Sequence, residues 1–546
     1  MSILRSALAT AFFATAVAAQ TAATATPPHL LVETVGPDGW RVRLGPTNLG
    51  SLLASEKGRE LWEPHAGGLF AQWRRLLPDD AALATAKTEV LSFGGRMRVA
   101  AWLREGRGFS RDMDRAVVVI EGDGRSDLAA LATELRRLQD GLHGAWENVD
   151  VAGATVEARA QGDEAITAPI VENGCILLAM ADKASLGAAL GAARELAKGA
   201  TGKAPAPNTP ALQVRLDTAA ILASDHEFAG QGAAAQAKAA GLFSLGATTF
   251  TVGTAGPHVQ VELAQAFTSD DRGLFAALFP ATQGVPALRR FVDGSGSWKV
   301  GRFDLSAAWR TAMAVIEADE PRREGRQSMR EELKQELGID VMDDLLVHTT
   351  DETRLVVAPP EDVERAERTP WSFTVGLRDG AAFARSLDTL LANSKPTLTK
   401  SATIDVEGGQ IRRYGNFLRY DLWFATGRDV FAIAGGDDAE RRLTELLAAA
   451  AKPAPAELPA AAGFDDLGRA FPAGLNGLGR GDVDSVIAQP AIWWFFGARD
   501  AAGAMAPDMS EEQHDGLLAL VREHGLGSVR TATGYADRRW CWRLYW

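Results

Sequence analysis

Two aspartates in this chain occupy matching surroundings. Asp150 sits in Val149-Asp150-Val151-Ala152-Gly153, and Asp405 sits in Ile404-Asp405-Val406-Glu407-Gly408, 255 positions further on. Paired carboxylates can work as acid and base or hold a cation. Here apolar neighbours flank both, so the simpler reading is an outward side chain on an alternating strand. Asp123-Gly124 and Asp379-Gly380 each follow an apolar strand and precede a leucine-bearing stretch, which reads as a turn and helix cap. The eight histidines (His29, His65, His143, His226, His258, His348, His514 and His524) show no metal-ligand spacing. Hydrolase signatures fail. Gly294-Ser-Gly-Ser-Trp298 is misspaced for a nucleophile elbow, and neither His-Glu-x-x-His nor Cys-x-x-Cys occurs.

Two glycine runs invite a phosphate-binding reading. Gly477-Leu-Gly479-Arg-Gly481 shows no strand before it and no clear helix after it, so a loop is expected. Gly199-Ala-Thr-Gly202-Lys203 is not a P-loop, because its first glycine stands too close and no Ser or Thr follows the lysine. Fourteen tryptophans are present. Trp493-Trp494-Phe495-Phe496 and the terminal Trp540, Trp542 and Trp546 could stack on a sugar or meet a lipid. Trp40 and Trp298 hold similar places 258 positions apart, which favours core filling for the set. No catalytic residue, cofactor or metal site is assigned.

The elements that would position these residues fall into two similar halves. Besides the two aspartate motifs, Ala181-Asp182-Lys183-Ala184 matches Gly436-Asp437-Asp438-Ala439 at the same 255-residue spacing. A repeat of about 250 residues is a duplicated module rather than a solenoid of short repeats. The first half is expected over 29–285 and the second over 286–546. Each begins with a strand-helix segment, from Trp40-Arg-Val-Arg-Leu44 or from Trp298 through Asp304 as a cap to a helix over 307–316. A sheet-helix segment follows, at 115–199 and 370–452. A hairpin segment closes each half, at 211–285 and 460–546. The Lys/Pro/Ala stretches at 203–207 and 452–456 read as semi-stiff spacers. Strands and helices mix without βαβ alternation. An α+β fold is therefore expected, with largely antiparallel sheets and helices packed on one face. The last strand alternates Trp540, Trp542, Leu544 and Trp546 on one face and should be docked against Ser528–Thr533.

The run Val430-Phe-Ala-Ile-Ala-Gly-Gly-Asp-Asp-Ala-Glu-Arg-Arg-Leu443, with Leu337-Gly-Ile-Asp-Val-Met-Asp-Asp-Leu-Leu346, resembles a family of uncharacterised exported bacterial proteins with a duplicated domain of unknown function. That resemblance covers most of the mature chain and implies export and duplication. It carries no catalytic residues.

Export is also read from the residues. Met1 to Ala19 has one charge, Arg5, an apolar stretch from Ala7 to Val17, and small residues before the cleavage position, as in a signal peptide. No later run is long and apolar enough for a transmembrane anchor. A net charge of −13 disfavours nucleic acid as a partner. Cys175 and Cys541 could pair in an exported protein. Cys175 corresponds to Val430, however, which favours a packed core position. The function read here is a non-enzymatic binding or structural component of the periplasm or cell exterior, with a protein or glycan partner there. A hydrolase with its site between the two halves and a carrier of an apolar ligand are the alternatives. N-terminal sequencing of exported material should begin after Ala19; recovery of Met1 would remove the signal-peptide reading.

Overall fold

A computed structural model describes residues 27–59, 80–103, 113–142, 144–151, 154–206, 209–223, 231–291, 296–318, 329–358, 370–393, 399–417, 420–452, 472, 474–482, 516 and 519–546. The 1–19 segment and Trp493–Phe496 lie outside these residues. The chain is mixed α+β, built on extensive antiparallel sheet. It divides into two compact units. The first comprises 1–229 and 245–266, and the second 230–244 and 267–546.

In the first unit the strands are β1 (Leu30–Val35), β2 (Arg96–Leu103), β3 (Met113–Glu121), β4 (Ala145–Val151), β5 (Ala154–Gln161), β6 (Glu164–Thr167), β7 (Ile170–Glu172), β8 (Cys175–Asp182), β9 (Leu212–Asp217), β10 (Leu245–Ala255) and β11 (His258–Phe267). They pair antiparallel in the order β4-β5-β6-β8-β3-β2-β1-β9-β10, with β7 also on β8. The second unit has β12 (Ser297–Arg302), β13 (Thr349–Val357), β14 (Trp371–Leu377), β15 (Thr399–Val406), β16 (Gly409–Phe417), β17 (Tyr420–Gly427), β18 (Val430–Gly435), β19 (Leu475–Asp482), β20 (Ser528–Ala536) and β21 (Arg539–Tyr545). Their antiparallel order is β15-β16-β17-β18-β14-β13-β12-β19-β20-β21.

Helices cover both faces of the central strands, not one. Strands β3 and β8 are unbroken apolar runs, Val117-Val-Val-Ile and Cys175-Ile-Leu-Leu-Ala, so neither face can be left to water. Cys175, Leu177 and Ala179 meet Leu186, Ala189, Leu190 and Ala193 of the helix Leu186–Ala197. Ile176 and Leu178 meet Leu131 and Ala132 of the helix Leu128–Asp140. In the second unit Val430, Ala432 and Ala434 face Leu443, Leu446 and Leu447 of the helix Ala439–Ala451. Phe431 faces Phe383 and Leu387 of the helix Gly380–Asn393, with Ile339 and Leu345 beside them. Each of these large apolar side chains contributes roughly 1.5–3 kcal/mol on burial.

Other expectations change with the structure. Trp40 is in a helix, Pro37–Leu44, and the strand lies upstream at Leu30–Val35; Pro37 opens that helix and Asp38 sits in its first turn. Trp298 is on β12, so the two tryptophans are not equivalent. Gly477, Gly479 and Gly481 are in strand β19, not a loop. Neighbouring chains pass so close that a Cβ on Gly477 would lie 2.4 Å from Thr533 Oγ1 and one on Gly479 2.6 Å from Thr531 Oγ1. Arg43 donates to the carbonyls of Pro205, Ala206 and Thr209, which ties the 203–206 stretch to the Pro37–Leu44 helix. No disulfide joins Cys175 and Cys541. Cys175 is fully buried, and that burial raises its thiol pKa.

The terminal strand is docked as expected. It pairs with β20 from Arg530↔Tyr545 to Ala536↔Arg539, Trp546 Nε1 donates to Leu526 O at 3.0 Å, and Trp540 stacks on Phe279 at 4.3 Å. Yet its one fully buried side chain is Tyr545, on the face opposite the tryptophans, which stay half-buried. Tyr545→Ala should therefore cost about 3–5 kcal/mol in urea unfolding, and Trp542→Ala less. The reverse order would show that the tryptophan face is the core face.

Candidate functional site

Strands β15, β16 and β17 place their even and odd positions on opposite faces. Ile404, Val406, Ile411 and Ala425 face the helix Ala439–Ala451. Tyr414 and Phe424 face the helix Gly380–Asn393, and the same alternation puts Asp405, Gln410, Arg412 and Thr426 on that second face. A two-residue turn, Glu407-Gly408, sets the register: Asp405 lies opposite Gln410, and Gln410 opposite Thr426. Gly408 has φ +88°, which strongly favours glycine.

A cleft of about 650 Å³ opens where this face meets the helix N-terminus. Its polar lining is Arg378, Asp379, Asp405, Gln410, Arg412, Thr426 and Arg428. Three turns form its floor through glycines that pack against main chain. A Cβ on Gly380 would lie 2.0 Å from Gly427 O, and one on Gly409 2.2 Å from Thr426 O. These glycines therefore serve the close approach of backbone rather than a cradle for phosphate.

The side chains form a chain of contacts across the sheet. Arg412 is only 4% exposed. It donates from Nη2 to Asp388 Oδ2 at 2.9 Å and from Nε to Gln410 Oε1 at 3.1 Å. Gln410 Nε2 in turn donates to Asp405 Oδ1 at 2.9 Å. Asp379 is the N-cap of the Gly380–Asn393 helix, its Oδ1 accepting from Ala382 N at 2.9 Å. That bond holds its carboxyl below the usual aspartate range, and the nearby His348 and Arg385 act in the same direction. Tyr414, next on the same face, has its hydroxyl pKa raised by burial.

Of the residues singled out from sequence, the cleft brings together Asp379, Gly380 and Asp405. Asp150 is elsewhere, an exposed side chain on β4 opposite Thr155. Asp123 makes a turn, accepting from Arg125 N and Ser126 N, while Asp127 caps the following helix. Gly199 and Gly202 are left-handed turn residues after the Leu186–Ala197 helix. His29 is buried and accepts from Leu103 N. His65, His143, His226 and His514 lie outside the described residues. Among the described residues no helix is long and apolar enough to cross a membrane, and no His, Cys, Asp and Glu group could hold a metal ion. Arg378, Gln410, Arg412, Thr426 and Arg428 were not singled out. The polar alternation Gln410-Ile-Arg412, read across the Gly408 turn from Asp405, is the signal that would have found two of them.

A second cavity, lined by Arg115, Arg159, Asp114, Glu164 and Asp182, offers only about 40 Å³ and has room for water rather than a ligand. No known protein family, curated protein or solved structure matches the chain.

The cap at Asp379 has a pH signature. Its folded pKa is depressed, so its contribution is present above the unfolded value of about 3.9. That contribution is lost as pH falls through the lower folded value. The Ala382 amide resonance should titrate with a midpoint below about 3.9, and Asp379→Asn should keep the cap that Asp379→Ala loses. A midpoint at or above the ordinary value would refute the assignment.

Proposed function

We propose that this chain is an exported, non-enzymatic binding component of the periplasm or cell exterior, built by duplication of one α+β unit. Its ligand site is the cleft of the second copy. The observation that carries the binding reading is the contact chain Asp388–Arg412–Gln410–Asp405. Together with Asp379 on Ala382 N, it commits the cleft's carboxylates to holding the site's shape. Such a fixed polar surface suits recognition, since little ordering cost remains on binding. The leader-like composition of 1–19 supports export.

Duplication is supported by register. Glu121 pairs with Cys175 and Gly376 with Val430; Asp150 pairs with Thr155 and Asp405 with Gln410. Each residue stands 255 positions from its counterpart. The strand order from β4 to β10 also parallels that from β15 to β20. One ion pair is conserved in place but reversed in sign. Arg136 on the first unit's helix holds Glu157 on β5, whereas Asp388 on the second unit's helix holds Arg412 on β16.

Two experiments test this. Arg412→Glu alone should destabilise by about 3 kcal/mol, and adding Asp388→Arg should restore most of it by recreating the first unit's arrangement. Failure to recover would argue against equivalence of the two helices. For binding, compounds that co-purify from the native host should raise the Tm of the protein and be recovered unchanged. At a hundredfold excess over Kd the stabilisation is about 2.7 kcal/mol. Chemical conversion of the compound would make the protein an enzyme instead.

A further inference from the structure

We infer that the cleft of the second unit takes an anionic group, a carboxylate or phosphate, seated on Arg412 and Thr426 and closed over by Arg378 and Arg428; this rests on the cleft being the ligand site. The first observation is Thr426. It is 7% exposed and lines the cleft, yet its Oγ1, itself shut off from solvent, has no hydrogen-bond partner among the described residues. A buried hydroxyl left unmatched is costly, and a ligand oxygen would satisfy it. Thr426 stands in the same cross-strand row as Asp405 and Gln410, on the cleft's side of β17.

The second observation is Arg412. Its Nε and Nη2 are bound to Gln410 and Asp388, which fixes the guanidinium plane. Nη1 has no hydrogen bond among the described residues, so one edge of a locked, buried cation remains for a ligand. Arg378 and Arg428 are exposed at the rim.

The rim charges point the same way. Asp388 already balances Arg412, whereas the exposed Arg378 and Arg428 have no ion pair among the described residues. The aspartates lining the cleft are already engaged, Asp379 by Ala382 N and Asp405 by Gln410. The helix N-terminus is not the seat, because Asp379 fills it and Gly380 N is bound to Arg428 O. The recognising groups are the guanidiniums and the hydroxyl. Arginine suits planar, two-oxygen recognition of carboxylate and phosphate.

The test titrates the full-length protein with inorganic phosphate and, separately, acetate, against chloride at matched ionic strength. The readout is amide and arginine Nε resonances. Saturable shifts at Thr426 and Arg412 are expected with phosphate, acetate or both, and which anion binds tighter identifies the source. Arg378→Gln with Arg428→Gln should weaken binding at least tenfold. Thr426→Val should raise the Tm of the free protein while weakening the anion several-fold, a combination that a merely structural threonine would not give. Shifts reproduced by chloride, or unchanged in these variants, would overturn the inference. If a neutral sugar or a cationic amine shifted the same resonances and the anions did not, the cleft would remain a ligand site and its anionic character would be wrong.

Discussion

Strand β18 carries Val430, Ala432 and Ala434 towards one helix and Phe431 and Ile433 towards another. Strand β8 of the first unit does the same with Cys175, Leu177 and Ala179 on one side and Ile176 and Leu178 on the other. A strand that is apolar on both faces is unstable until both are covered. This demand fixes the rest of each unit. The chain must leave β14, return as a helix over one face, run through the β15–β17 meander, and then close the other face after β18. The cleft is a by-product of that path. It forms where the first covering helix begins and the meander's turns end.

The polar contacts around the cleft have a structural duty before any other. Arg412 is nearly as buried as the leucines near it, and a buried charge is tolerated only when paired and hydrogen-bonded. Asp388 and Gln410 meet that requirement. Once so held, the guanidinium is a rigid feature rather than a mobile surface charge. In the first unit the helix-to-sheet ion pair has the opposite polarity, Arg136 on the helix and Glu157 on the strand, and both side chains are exposed.

Much of this was legible from residues alone. The apolar runs at Val117 and Val430 and the helices after Asp182 and Asp438 are local signals, and they appear where the sequence places them. The misread elements share a cause, which is non-local packing. Trp40-Arg-Val-Arg-Leu alternates like a strand, but Pro37 and the Thr34 hydroxyl on Trp40 Nε1 make it a helix lying against β1. The glycines of β19 look like a loop until the neighbouring threonines are in place. The two-sided helix cover was implicit in the unbroken apolar strands. The cleft itself was half-visible: Asp379 and Asp405 were in view, but Arg412 and Thr426 become site residues only through cross-strand register and burial.

Gly380, Gly409 and Gly427 pack their backbones against neighbouring main chain and side chains with no space for a Cβ. The floor of the cleft therefore has no slack to take up when something enters. Were the proposed ligand to bind here, the floor would not fold around it, and encounter rather than rearrangement would set the association rate. Differences among ligands would then be expressed in how long each one stays.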